Sequence, residues 1–249
     1  MSILSTNERG ESLTTASLLT PITSPVFTYS FHIKRNAVSA SRCLWMWEDS
    51  ADTSKFLEFM TRNATTTGYY AWRFEQNASG FTGLIDDVDL YDTWGCNMIV
   101  KDGAGSLKHY APNGTVFENT DNKDMTNGTN GLDQFFLGGK NPSVNEFGHP
   151  AYISDIAIWP GVALGPSDHA ILRNHFADSL PTLPDYYWPA VDDLVAGRGG
   201  INLVEAGAGV SHSIAANDNP ILTDYAASSG ALRTRGGRLM TRGGKLAVG

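Results

Sequence analysis

Along much of the chain, apolar residues alternate with polar ones over short runs closed by turn residues, the period of β-strands with one buried face. Val26 to Ile33 reads VFTYSFHI, with Phe27, Tyr29, Phe31 and Ile33 on one face. Arg42 to Trp47, Lys55 to Arg62, Tyr69 to Phe74, Trp94 to Val100 and Ser106 to Tyr110 follow as predicted strands. Asn113-Gly114 predicts a two-residue hairpin into Thr115 to Phe117, since both residue types tolerate positive φ. Tyr70, Trp72 and Phe74 share one face: such a stripe is either a sugar-stacking platform or, more often in a sandwich, core.

From Gln134 the pattern changes. A short apolar run ends in Gly138-Gly139, a polar loop follows, and Tyr152 to Trp159 forms another strand in which Ile156 and Ile158 alternate with Asp155 and Ala157. Gly165-Pro166-Ser167-Asp168 carries helix-start chemistry, with Pro at the first helical position and acid in the first turn. Ile171, Leu172 and Phe176 are then expected on one face of a short helix. Leu180 to Pro189 is aromatic and punctuated by proline, and is expected to wrap back across the sandwich.

These pieces in this order resemble laminin-G-like domains of the concanavalin A-like jelly-roll class. The residues that carry the resemblance are Trp94, Asp102-Gly103, Leu107, Tyr110, Asn113-Gly114, the Leu137-Gly-Gly run, Ile153-x-Asp155-Ile156-x-Ile158 and the capped helix, together spanning roughly residues 10 to 177. The fold expected is all-β: a concanavalin A-like jelly-roll β-sandwich with one short helix and extended terminal arms. Residues 1–20 are read as an N-terminal arm and edge strand, 21–188 as the sandwich, 189–232 as an irregular C-terminal extension, and 233–249 as a basic arm. Phage-encoded laminin-G-like proteins show a similar Trp-Pro trailer after the helix.

The last stretch repeats itself, as Thr234-Arg-Gly-Gly-Arg-Leu239 and Thr241-Arg-Gly-Gly-Lys-Leu246. Gly-Gly excludes a stable helix, leaving a basic hairpin meander or an extended arm that adds to a neighbour's sheet. Charge sharpens this. The net charge is −8, and Arg233, Arg235, Arg238, Arg242 and Lys245 place +5 in residues 233–249 without an acid, so the remainder carries −13. An acidic body is a poor partner for nucleic acid, where phosphate contact needs Lys and Arg. No apolar run approaches the roughly 18 residues of a membrane span, and the N-terminus lacks the features of a signal peptide. The 2 cysteines, Cys43 and Cys96, are read as buried free thiols.

Candidate chemistry is sparse. Glycosidases flank the scissile bond with two carboxylates about 5 Å apart or wider, and the alternating Glu-x-Asp-x-x-Glu pattern that supplies them on a jelly-roll strand is absent. Asp86, Asp87, Asp89 and Asp92 offer the hard oxygen ligands that calcium takes, against a solvated acidic segment as the plainer reading. His169 and His175 point to different helix faces and cannot form a metal pair there. The function expected is therefore non-enzymatic and without a cofactor, calcium excepted. The first reading is a bacteriophage virion structural protein, assembled in the host cytoplasm, in particular a capsid decoration protein. In that reading Arg233, Arg235, Arg238, Leu239, Arg242, Lys245 and Leu246 dock on the major capsid protein, other virion subunits or further copies in a homo-oligomer. The alternative is a carbohydrate-binding, lectin-like module of a phage tail or fibre, with a glycan partner. A polysaccharide hydrolase is the remote third, and no membrane partner is expected.

Overall fold

The computed structural model describes residues 2–4, 12–21, 26–35, 42–63, 70–76, 81–82, 93–103, 107–119, 131–137, 151–189, 196–206, 213–215, 233–235 and 238–240. In chain order the strands are β1 (Ser2–Leu4), β2 (Ser12–Thr15), β3 (Val26–Arg35), β4 (Arg42–Asp49), β5 (Asp52–Asn63), β6 (Tyr70–Gln76), β7 (Phe81–Thr82), β8 (Trp94–Asp102) and β9 (Leu107–Tyr110). They continue with β10 (Val116–Asn119), β11 (Gln134–Leu137), β12 (Ala151–Pro160), β13 (Tyr186–Trp188), β14 (Leu203–Ala206), β15 (Ser213–Ala215), β16 (Arg233–Arg235) and β17 (Arg238–Met240). One helix, α1 (Pro166–Leu172), follows β12.

Two antiparallel sheets form a sandwich. The first runs β10-β9-β8-β3-β12-β1-β15, with β13 also paired to β12, and the second runs β14-β2-β11-β4-β5-β6-β7. The alternation read in the sequence sets the inner face. Phe27, Tyr29, Phe31 and Ile33 of β3 meet Trp45 and Trp47 of β4 and Phe135 and Leu137 of β11 in one buried cluster. The rings pack edge-on, with Tyr29 and Trp45 centroids 4.7 Å apart. Each aromatic of this size removes on the order of 150–250 Å² from water, at about 25 cal/mol per Å². Phe74 of β6 is in register with Phe59, which is in register with Trp45; the side chains of the Tyr70, Trp72, Phe74 stripe lie outside the described ones.

Three departures from the sequence reading follow from pairing, which leaves little apolar signature. Strand β2 lies between β11 and β14 and β1 between β12 and β15, so neither is at an edge. The stretch around Trp188 does not merely wrap the body. Tyr186–Trp188 is a strand of the first sheet, and Trp188 stacks on Phe135 across the sandwich, 5.9 Å between centroids and 4° between planes. The extension supplies β14 and β15, whose backbone groups are satisfied by strands already in place.

Turn chemistry corrects a fourth expectation. Of Asn113 and Gly114 only the glycine has positive φ, at 90°. Pro112, whose ring suits the second position of a turn, starts the turn at Ala111, whose carbonyl accepts from Gly114 N–H at 2.8 Å. The loop is therefore a three-residue hairpin closing on Thr115, with the glycine in the left-handed region.

Candidate functional site

Strand β3 presents Thr28, Ser30 and His32 on the face away from the aromatic core, yet all three are buried. The chain from Gly161 to Leu180 crosses this outer face and is bonded to it. Thr28 Oγ1 donates to Val162 O at 2.8 Å and accepts from Leu164 N–H at 2.9 Å. His32 Nε2 lies 2.7 Å from Leu172 O, at the end of α1. From the other side, His169 Nε2 reaches toward Cys96 O at 3.5 Å, the outer limit of a hydrogen bond. Apolar contacts complete the closure: Leu164, Leu172, Ala177 and Leu180 pack with Cys96, Met98, Val100, Tyr110, Ala157 and Trp159. Of the predicted Ile171, Leu172 and Phe176, Leu172 is buried and Ile171 packs half-buried against this cluster, while Phe176 lies beyond the helix, which ends at Leu172; His169 is the other buried residue of α1.

At the centre of this face is Asp155, fully buried and the one non-glycine residue with positive φ among those described, at 53°. It sits in a bulge where β12 changes partner: β1 pairs with Tyr152 and Ile153, and β13 with Ile156 to Ile158. The left-handed turn aims its carboxylate outward. Its two oxygens each lie 3.2 Å from Ala177 N, and Oδ1 accepts the Tyr187 hydroxyl at 2.7 Å. A buried carboxylate is tolerated only with such donors.

Electrostatics assign this cluster to structure. Burial pushes His32 down to about 4, against the bond to Leu172, with His169 adding to the depression. Burial likewise takes His169 to about 4. Burial and the nearby Asp155 charge raise the Cys96 thiol well above its ordinary value, which removes the thiolate that reactive cysteines require. No group of three or more His, Cys, Asp or Glu among the described residues is arranged to hold a metal ion, and no described helix is long and apolar enough to cross a membrane.

The sandwich has two unlike ends. Phe27 faces Trp47 and Tyr29 faces Trp45, so the start of β3 is level with the end of β4. At that end Asp133 fastens the β4–β5 turn, accepting from Ser50 N–H and from the Ser50 hydroxyl, each at 2.9 Å. Gly131, at φ 98°, leaves room there, since a Cβ would lie 2.9 Å from Asp49 Oδ2. At the opposite end converge the end of β3 and start of β4, the β5–β6 junction, the end of β7 and start of β8, and the end of β11 and start of β12. These termini flank residues 36–41, 64–69, 83–92 and 138–150.

The sequence-predicted sites divide accordingly. Asp86, Asp87, Asp89 and Asp92 lie outside the described residues, in the connection flanked by β7 and β8 at this second end. In the C-terminal repeat, Arg233, Arg235, Arg238 and Leu239 come together in the β16–β17 hairpin, a two-stranded sheet of its own; Arg242, Lys245 and Leu246 lie outside the described residues. Sequence reasoning did not single out His32 or Asp155. The available signal was a histidine and an aspartate set inside strongly apolar strands.

No protein-family model and no curated protein sequence matches the chain. Its likeness to solved structures lies in the fold. The native heptameric SAP-like pentraxin of Limulus polyphemus superposes with a TM-score of 0.57 at 15% identity, over 82% of this chain and 93% of that one. A candidate carbohydrate-binding protein of Bacteroides ovatus gives 0.54 at 15% identity, over 83% of this chain and 59% of that one. Domains LG4-5 of the mouse laminin alpha1 chain give 0.45 at 10% identity, over 67% and 43%. The first two show the fold alone: an all-β, concanavalin A-like jelly-roll sandwich of two antiparallel sheets with one short helix.

Proposed function

We propose that the chain is a lectin-like module that binds carbohydrate without cleaving it, at the end of the sandwich where the termini flanking residues 36–41, 64–69, 83–92 and 138–150 converge. One observation carries this reading. The outer face of the first sheet is sealed by the α1 segment, so that broad surface offers no platform. The composition of the remaining end suits sugar. Its connections include Asp86, Asp87, Asp89, Asp92, Asn141 and Asn145, which accept from or donate to vicinal hydroxyls, and Tyr69, Tyr91 and Phe147, whose rings stack on sugar C–H faces. The Bacteroides ovatus neighbour, itself a candidate carbohydrate-binding protein, supports the class. Fold alone does not decide it, since one fold hosts many functions.

The capsid-decoration reading draws its support from the basic C-terminal hairpin, and neither of the two better-superposing neighbours adds to it. A glycan array probed with the folded chain, with calcium and with chelator, separates the readings. Selective glycan binding is expected, weakened at least about tenfold, or about 1.4 kcal/mol, by replacing Asp86, Asp87, Asp89 and Asp92 together with Asn. Loss with chelator assigns the aspartates to calcium, and persistence assigns them to the sugar hydroxyls. No binding to any glycan, or binding indifferent to the four aspartates, sinks the proposal.

A further inference from the structure

We propose that Asn113 is a site of self-modification, converting to isoaspartate and aspartate through a succinimide, and that the β9–β10 hairpin holds this reaction in check. Asparagine is a thermally labile residue, and most so before glycine, which has no Cβ to shield its backbone nitrogen. Asn113 and Gly114 are both exposed at the tip of the hairpin. The reaction needs only water. Once the Gly114 nitrogen has lost its proton, it attacks Cγ of Asn113; a C–N bond forms, and the side-chain nitrogen takes up a proton and leaves as ammonia. Water then opens the ring at either carbonyl. One opening gives isoaspartate, with an extra methylene in the main chain, and the other gives aspartate. Nothing is oxidised or reduced, and each product adds one negative charge.

The hairpin engages both reacting groups. Gly114 N–H donates to Ala111 O at 2.8 Å, which holds the proton that must leave. Asn113 Oδ1 accepts from Thr115 N–H at 2.9 Å, which ties the side-chain amide to Thr115. Ala111 N–H donates to Thr115 O at 2.8 Å and closes the loop beneath them. Attack therefore waits on a local opening of the tip, an event with its own free energy, separate from unfolding of the body. The charge that results falls beside a cation. Arg173, which ends α1, brings Nη1 to 3.4 Å from the point where a Cβ on Gly114 would lie.

The chain carries its own reference, since Asn127-Gly128-Thr129 repeats Asn113-Gly114-Thr115. The full chain is aged at mildly alkaline pH, folded and in guanidinium chloride, and peptide mass spectrometry follows the exchange of amide for acid at both asparagines. Fragmentation that separates isoaspartate from aspartate identifies the products. In denaturant the two sites should convert at similar rates, because their tripeptides are identical. In the folded chain Asn113 should convert at least about tenfold more slowly than in denaturant. Pro112→Gly loosens the turn without replacing a reacting residue; it should speed Asn113 in the folded chain and leave Asn127 unchanged, with near-UV circular dichroism confirming an intact body. Absence of isoaspartate at Asn113 in denaturant overturns the modification site. Conversion at the same rate in the folded and denatured chain overturns the restraint, as does a folded Pro112→Gly variant that ages like the parent.

Discussion

The outer face of the first sheet and the loop-bearing end of the sandwich are built from the same strands, β3, β8 and β12, and are finished in opposite ways. On the face, three polar side chains that β3 and β12 push outward meet partners: Thr28 the loop before α1, His32 the carbonyl of Leu172, Asp155 the backbone of Ala177 and the hydroxyl of Tyr187. At the end, the strands hand over to connections of 6 to 13 residues rich in Asp, Asn and aromatics. Polar residues in the first place are consumed in holding the fold, whereas those in the second are the ones the proposed function assigns to a ligand. Chemistry-bearing residue types are thus poor guides to function until their burial is known. His32, His169, the Cys96 thiol and Asp155, the most deeply buried carboxylate among the described residues, all belong to the scaffold.

This contrast breaks if the face tolerates change or the end does not. Among single substitutions the largest effect is expected from Asp155→Ala. It leaves the Ala177 N–H and the Tyr187 hydroxyl without their acceptor and puts a Cβ-only side chain at φ 53°, for a combined cost of about 4 kcal/mol. Chemical denaturation reads this, and glycan affinity per folded molecule should not move.

Acid should act next. His32 and His169 are held near 4 against an ordinary 6.5, so the fold favours their neutral forms. Their contribution is complete above about 6.5 and is lost as pH falls from there toward 4, at up to about 3 kcal/mol for each histidine. A pH series of unfolding free energies should show this slope, and the His32→Gln/His169→Gln double variant should flatten it. Tyr187→Phe removes one bond to a charged acceptor and should cost about 1.5 to 3 kcal/mol. The smallest stability effect is predicted for the proposed site: replacing Asp86, Asp87, Asp89 and Asp92 with Asn should stay within about 0.5 kcal/mol, while abolishing most glycan binding.

The legible parts of the fold were those where one face is apolar and the other is not. Alternation identified β3, β4, β8 and the core aromatics, and the Gly-Pro-x-Asp start located α1, where Asp168 Oδ2 accepts from Gly165 N–H at 2.8 Å. Strands β13, β14 and β15 escaped because three or four residues carry no period, and their register comes from the strand beside them. Asp155 read as the polar member of an alternating pair. The bulge that buries it depends on β12 exchanging β1 for β13, a tertiary event. Alternation likewise shows which residues of β3 face the core and leaves open that the opposite face is covered as well. For the loop-bearing end, the sequence yields the residue types, and the topology brings the strand termini together.

Hydrogen–deuterium exchange with and without a glycan selected from the array tests this division of labour most directly. Protection should appear in peptides spanning 36–41, 64–69, 83–92 and 138–150, with Gly161 to Leu180 and the Asp133 end unchanged. Protection centred on α1 or on the β4–β5 turn, with none at the loop-bearing end, would contradict the account.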